Sequence, residues 1–319
     1  MGIIQHARYS VPDRAHGYCT DDVARALIVV LMRLTRVPDD AEARAMASTY
    51  LAFLNGAQLA DGRFHNFMSY DRAWLDEVGT QDSCGRAIWS LGYALRFAPD
   101  DGWRRLCAEM FARAMACNAW FEHSRPQAYA ILGLAHAVAA GASSYTAALR
   151  GLAEALLRRY RHERGEGWEW FDPVMTYDNA RLPEALLRAG AALDDSPMIE
   201  AGRVTLQFLE RTVFEDGIFV PIGNAGWFPR GGRRARFAQQ PLEASAMTDA
   251  EIAAFDVFGQ PEHRELAARA AAWFDGKNLL GVALAHGGGC YDGLEADGPN
   301  LNMGAESTLA YLAAAYTQE

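Results

Sequence analysis

The feature that most constrains this chain is an alternation of two kinds of helical segment. Residues 22–34, 82–97, 126–139, 179–192, 242–258 and 305–317 are apolar nearly all round. Between them, residues 41–54, 103–120, 145–163, 198–212 and 261–274 are richer in charge. A helix that is apolar on every side must be buried on every side, whereas an amphipathic helix has a single face to bury. The apolar segments open roughly 40 to 65 residues apart, which is a long-period internal repeat. The pattern predicts about twelve helices in six pairs, the apolar partner first. Strand-like runs are few and short, as at 218–222.

Six buried helices alternating with amphipathic ones fit an inner ring wrapped by an outer ring. The expected fold is therefore all-α, an (α/α)6 toroid of six helical hairpins with short β pieces in its rim loops, forming one domain over residues 1–319. An open α-solenoid of stacked hairpins is the alternative, but it calls for shorter and more uniform connectors than this chain has. Inner-to-outer turns are short, at 38–40 and 194–197, while the connectors 58–80, 164–177, 214–239 and 276–303 are long. Long connectors inside a compact domain are usually functional, and all of these fall where the inner helices begin. That rim is the expected site. Three connectors open with a turn and then an aromatic: Asp61-Gly62-Arg63-Phe64, Gly165-Glu166-Gly167-Trp168 and Asp216-Gly217-Ile218-Phe219.

Composition removes several classes of function. The formal net charge of -10 argues against a nucleic-acid surface. Lys277 is the single lysine among 30 basic residues, so no lysine-dependent site exists elsewhere. The N-terminus lacks a signal pattern and no apolar run approaches membrane-spanning length, so no membrane partner is expected. Five cysteines (19, 84, 107, 117 and 290) without CxxC spacing suit free thiols, and the expected location is cytoplasmic. Cys19, Cys84, Cys290, His16 and His286 all map to the rim without ligand spacing, so neither a metal nor a cofactor is expected. Gly287-Gly288-Gly289 lacks the Lys-Ser/Thr of a phosphate loop, and no serine sits in a Gly-x-Ser-x-Gly elbow.

The rim acids carry the chemistry. Asp21, Asp22, Asp82, Asp178, Glu184, Glu243 and Glu306 all fall in or just before the first turns of inner helices. Single acids there serve as caps or balance the helix dipole. The set goes beyond capping, because Asp21-Asp22 is doubled and Glu243 lies past the expected cap. The motif Thr20-Asp21-Asp22-Val23-Ala24-Arg25 has a relative in Tyr177-Asp178-Asn179-Ala180-Arg181 and a looser one in Gln81-Asp82-Ser83-Cys84-Gly85-Arg86. An arginine three or four residues after an acid shares its helix face. Carboxylates converging from several helices suit glycoside hydrolysis, in which one group is the general acid and another the base. Asp22, with Arg25, and Asp178, with Arg181, read as base-like carboxylates. Glu243, beside Pro241 and Leu242, reads as the acid, so Asp22, Asp178 and Glu243 are the catalytic candidates. Aromatic faces stack on sugar rings, and Trp170 and Trp227 lead a set that includes Trp168, Phe171, Phe228 and Tyr291. Hydroxyl-binding candidates are His16, Tyr18, Asp21, Arg25, Asp82, Arg86, Asn179, Arg181, Gln240, Asn302 and Glu306.

These motifs resemble those of the six-hairpin glycosidase superfamily. The run from Gln5-His6-Ala7 through Pro12-Asp13-Arg14-Ala15-His16-Gly17-Tyr18-Cys19-Thr20-Asp21-Asp22, with residues 176–184 and 239–244, resembles a bacterial helical-toroid domain. That domain occurs alone or joined to a glycosyltransferase in polysaccharide gene clusters. The family pattern has Asn after the doubled aspartate, where this chain has Val23; Asn179 keeps that feature in the sister motif. The resemblance implies a carbohydrate substrate and a functional association with a glycosyltransferase, and it carries over no catalytic pair. The expected function is a glycoside-hydrolase-like enzyme, inverting, with its two carboxyl groups about 6.5 to 9.5 Å apart. The alternatives are a sugar epimerase or isomerase, for which His16, His123, His136 and His286 are available, a carbohydrate lyase, and a non-catalytic glycan-binding module. A terpenoid-cyclase-like toroid would want an apolar cavity, whereas this rim is rich in Gln, Asn, Arg and His.

Overall fold

The computed structural model of the chain describes residues 2–318, so Met1 and Glu319 of the expected 1–319 domain lie outside it. Eleven α-helices are present among the described residues, against about twelve expected, and all the strands are short antiparallel pairs. The first five hairpins have both partners, and the sixth is represented by its inner helix.

Two compact units are distinguished, with the chain passing from one to the other inside a helix. The first comprises residues 12–153 with the N-terminal stretch up to His6. It holds α1 (Thr20–Arg36), α2 (Ala41–Ala57), α3 (Gln81–Phe97), α4 (Asp101–Ala114) and α5 (Ser124–Ala139). The helix expected to run to Trp120 stops at Ala114 and continues as a 3-10 turn, Met115–Trp120. Helix α6 (Thr146–Glu163) leads into the second unit, which holds α7 (Arg181–Leu193), α8 (Ser196–Val213), α9 (Pro241–Phe258), α10 (Pro261–Ala271) and α11 (Ala305–Gln318).

Within the first unit α3 lies between α1 and α5, and all three are buried along most of their length. Small residues permit the closest approach. A Cβ on Gly92 would stand 2.1 Å from the Gly133 carbonyl oxygen, and one on Gly133 would stand 2.5 Å from that of Ile88. Backbone thus meets backbone between α3 and α5. In the second unit α9 lies between α7 and α11, with Ala244, Ala246, Ala250, Ala253 and Ala254 buried along it. Outer helices α2, α4, α8 and α10 bury one face each, the period expected of amphipathic helices. A fully buried leucine such as Leu27, Leu31 or Leu54 contributes about 1.5–3 kcal/mol.

Capping fixes where the inner helices begin. Thr80 caps α3 by accepting from the Ser83 amide at 3.2 Å, and Cys19 caps α1 through its sulfur. Helix α7 opens differently. The expected start at Asn179 is displaced to Arg181, because Asp178 takes a left-handed φ of +50° and forms a turn ahead of the helix. Asp178 is therefore a turn residue and not a first-turn helical acid.

Candidate active site

In the first unit the openings of three inner helices are tied together by side chains. The Cys19 thiol donates to Asp22 Oδ2 at 3.1 Å, and its sulfur accepts from the Asp22 amide at 3.4 Å. Burial pushes that thiol well above its ordinary pKa, and the charges of Asp22 and Asp21 push the same way. Asp22 is buried and receives Arg25 Nη1 at 2.8 Å, as the acid–arginine spacing predicted. Asp21 faces a different helix. Its Oδ1 lies 3.5 Å from Arg86 Nε on α3, and Arg86 Nη2 donates to the Tyr129 hydroxyl of α5 at 2.7 Å. The guanidinium also lies over the Tyr129 ring, 4.1 Å from its centroid.

The connector 58–80 supplies the rest of this cluster. Asn66 Nδ2 donates to Asp21 Oδ2 at 3.3 Å. The Asp76 carboxylate holds the connector in shape by accepting from the amides of Asn66 and Phe67, each at 2.9 Å. His65 stacks on Trp74 with ring centroids 4.7 Å apart, its Nδ1 within 2.8 Å of the Asp76 carbonyl oxygen.

In the second unit the turn before α7 meets the first turn of α9. Glu243 Oε1 accepts from the Asp178 amide, and Oε2 accepts from Asn179 Nδ2 at 3.1 Å. Asn179 Nδ2 also donates to the Thr176 carbonyl at 2.7 Å, which fixes the turn. Glu243 is 5% exposed, and burial, followed by the neighbouring Asp178 charge, pushes its pKa up to about 8. The amide donors pull the other way and do not offset those two effects. This carboxyl group therefore holds its proton at neutral pH, as an apolar setting does for a general acid.

Arg181 stands beside this pair as an internal hub. Its Nη1 lies 2.7 Å from Glu184 Oε2 and 2.8 Å from Asp249 Oδ2, and its Nε lies 3.5 Å from Asp178 Oδ1. Burial works against the cation, but Asp249, Glu184 and Asp178 together more than offset it and raise its pKa. Glu184 also receives Arg188 Nε at 3.0 Å.

The remaining candidates from the sequence divide by exposure. His16 is exposed and sits edge-on to His6, while Tyr18 is buried and stacks on Tyr70. Asp82, Gln240 and Glu306 are half-buried at the openings of α3, α9 and α11. Asn302 accepts from the Tyr9 amide at 3.0 Å. Trp227 is half-buried in a left-handed turn with its ring 6.3 Å from that of Tyr177.

Three expected sugar contacts are corrected. Trp170 is 0% exposed and packs against Phe171 and Phe208, so it offers no face to a sugar. Asn179, equally buried, clamps Glu243. Arg181 is committed to its three carboxylates. The aromatics of the three turn-then-aromatic motifs, Phe64, Trp168 and Phe219, are likewise buried. Those turns close hairpins after the outer helices: Asp216 and Gly217 both take positive φ between the paired strands Phe214–Glu215 and Ile218–Phe219. His136, the histidine of the epimerase alternative expected inside an apolar inner helix, lies in the last turn of α5 against Tyr93 and Phe97, at the end opposite the Arg86–Tyr129 cluster.

Asn66, Asp76, Tyr129 and Asp249 are among the residues of these clusters that escaped the sequence reading. Asp249 carried a usable signal, since an acid two turns into an apolar helix needs a buried cation, and Arg181 was the arginine already paired in pattern.

No protein-family model and no curated protein sequence matches the chain. Solved structures do match it. Cellobiose 2-epimerase from Bacillus thermoamylovorans is 10% identical with a TM-score of 0.75, covering 99% of this chain and 91% of its own. A sugar epimerase from a ruminal bacterium is 13% identical with the same TM-score, covering 99% and 92%. The GH76 α-mannanase of Bacteroides thetaiotaomicron is 9% identical with a TM-score of 0.68, covering 96% and 87%. Identity this low shows the fold alone. The chain has the all-α (α/α)6 toroid fold, shared with sugar epimerases and glycoside hydrolases.

Proposed function

We propose that this chain is a carbohydrate-active enzyme of glycoside-hydrolase type, in which Glu243 donates a proton to a leaving oxygen. The observation that carries the reading is the contrast within one buried pair. Glu243 is held protonated up to about pH 8, beside Asp178, a carboxylate fixed in a left-handed turn. Neighbouring carboxyl groups driven to different protonation states are the mark of acid–base assignment, and strained φ values concentrate at functional sites. Asp178 acts as the partner carboxylate, and Asp22 is a separate candidate in the first unit. The stereochemical outcome is proposed to be inversion.

The test is turnover of a panel of β-glucan and mannan oligosaccharides, followed by proton NMR. Glu243→Gln is expected to lower kcat by about 10²–10⁴, the range for removing a general acid, with KM little changed. Full activity in that variant ends the assignment.

A second reading, sugar epimerisation or isomerisation, is supported by epimerases whose folds match 99% of the chain. It needs a base able to remove a proton next to a carbonyl, and the same NMR experiment separates an epimer from a hydrolysis product. Functional association with a glycosyltransferase is proposed from the sequence resemblance, and co-purification with a neighbouring glycosyltransferase tests it.

A further inference from the structure

A second polar cluster lies in the interior of the second unit, away from the helix openings. Glu251 of α9 lies about 12 Å further along that helix than Glu243, at 1.5 Å per residue. Facing it are Glu210 of the outer helix α8 and His263 from the first turn of the outer helix α10. One donor atom from each of the three lies within 4.8 Å of the other two. His263 Nδ1 is 2.6 Å from Glu251 Oε2.

The cluster is incompletely satisfied. Glu251 is 0% exposed, yet its Oε1 has no hydrogen-bond partner, and neither has the buried Oε1 of Glu210. Among the described residues neither carboxylate forms a salt bridge with an arginine or lysine, and the one ion-pair contact of the cluster is His263 with Glu251. An acceptor oxygen buried without a donor carries the full desolvation cost of that group, about 1–3 kcal/mol or more when charged. Two acidic side chains and an imidazole drawn from three helices are hard to explain as packing, because apolar residues of the same size would cost less.

We propose that Glu210, Glu251 and His263 form a divalent transition-metal site that clamps outer helices α8 and α10 onto inner helix α9. The donor set is one imidazole nitrogen and two carboxylate oxygens, which suits Zn²⁺ with a fourth position left for water. On binding, the metal takes the imidazole nitrogen and the orphaned carboxylate oxygens, and protons held by the cluster pass to solvent. The sequence spacing hides the site because its three ligands come from three different helices.

The test uses the full chain, stripped with EDTA and titrated with Zn²⁺ alone by calorimetry and equilibrium dialysis, with thermal unfolding followed in parallel. One Zn²⁺ per chain is expected, with proton release on binding and a higher Tm. Glu210→Gln and His263→Gln should each weaken binding by more than about 100-fold, beyond the 10–100-fold that an outer-shell change costs. Because Glu251→Gln alters a fully buried group, Glu210→Gln is the variant that decides if Glu251→Gln fails to fold. Cys19→Ser, remote in sequence and role, should leave the affinity unchanged. Absence of stoichiometric binding, or affinity unaltered in both Glu210→Gln and His263→Gln, overturns the proposal.

Discussion

The protonated state of Glu243 makes a prediction about stability that requires no knowledge of substrate. In an unfolded chain its carboxyl has the ordinary value of 4.5, and in the folded chain burial and the nearby Asp178 charge push it up to about 8. Between those values the folded protein binds a proton that the unfolded chain does not, so stability must fall as pH rises. The contribution is fully present below pH 4.5 and gone above about pH 8. The whole gap corresponds to ~5 kcal/mol at 1.36 kcal/mol per pH decade, of which roughly 3.5 kcal/mol is lost between pH 5 and pH 8. Glu243→Gln removes the titration. Its amide nitrogen cannot accept from Asn179 as Oε2 does, so at pH 5 the variant should be less stable by about 1–3 kcal/mol. A gap of about 1–3 kcal/mol should close as pH rises and reverse between about pH 6 and pH 7.5, before the roughly 3.5 kcal/mol loss is complete. Urea unfolding of both proteins at half-unit steps from pH 5 to 8.5 measures this directly, and titrations elsewhere cancel in the difference. Parallel curves across the range would refute the claim that Glu243 keeps its proton in the folded protein.

Other perturbations probe the framework around the two clusters. Gly92→Ala places a methyl 2.1 Å from the Gly133 carbonyl oxygen, and since backbone cannot yield as a side chain does, a loss of at least about 1–3 kcal/mol is expected in denaturant unfolding. Arg181→Met takes the shared cation from buried Glu184, which keeps Arg188, and from half-buried Asp249, and up to about 3–5 kcal/mol should be lost, read by the same assay. Tyr129→Phe deletes the 2.7 Å contact to Arg86 while keeping the ring; a Tm loss equivalent to about 1.5–3 kcal/mol follows, as for hydrogen bonds to charged groups. Asp22→Asn turns one of the acceptors for Arg25 and the Cys19 thiol into a donor, so a Tm loss equivalent to about 1–3 kcal/mol is expected, and a fall in turnover of the still-folded variant well below its Tm would assign that carboxylate to chemistry.

The helical plan was legible because it rests on local patterning. Segments apolar all round became α1, α3, α5, α7, α9 and α11; the first five are buried along most of their length, as helices with no polar face must be, whereas α11 buries only Ala305, Ser307, Leu309, Ala310 and Ala314. The acid–arginine spacing was equally readable, since residues three apart on a helix meet whatever surrounds them, as Asp22 and Arg25 do. What resisted reading depends on contacts between segments distant in sequence. Trp170 looks like a sugar platform in a glycine-rich connector, and only its packing on Phe208 of α8 shows that it plugs its own loop. Asn179 and Arg181 look like hydrogen-bonding groups at a helix opening, and only the arrival of α9 assigns them to Glu243 and Asp249. The left-handed turn at Asp178 was hidden for a related reason. Its cost is borne by a carboxylate 65 residues away that holds its amide in place.

Helix α9 shows how one inner element can carry two kinds of polar site without losing its buried character. Its neighbours come close because so much of its surface is alanine, leaving little room for water around any acid placed on it. An acid there has to be protonated, paired or, as proposed for Glu251, metal-bound. Glu243 meets backbone amides and keeps its proton; Asp249 finds Arg181; Glu251 faces a second carboxylate and an imidazole. Exchanging these environments should exchange the behaviour. Asp249→Asn removes one of the three carboxylates that hold Arg181 and leaves Glu184 as its closest partner, so the guanidinium is free to move toward Asp178 Oδ1, from which its Nε is now 3.5 Å. A cation drawn closer to Asp178 cancels more of the charge that holds the Glu243 proton in place. The pH at which the Glu243→Gln difference reverses should therefore fall in an Asp249→Asn background, and an unchanged crossing point would show that the two sites on α9 do not communicate.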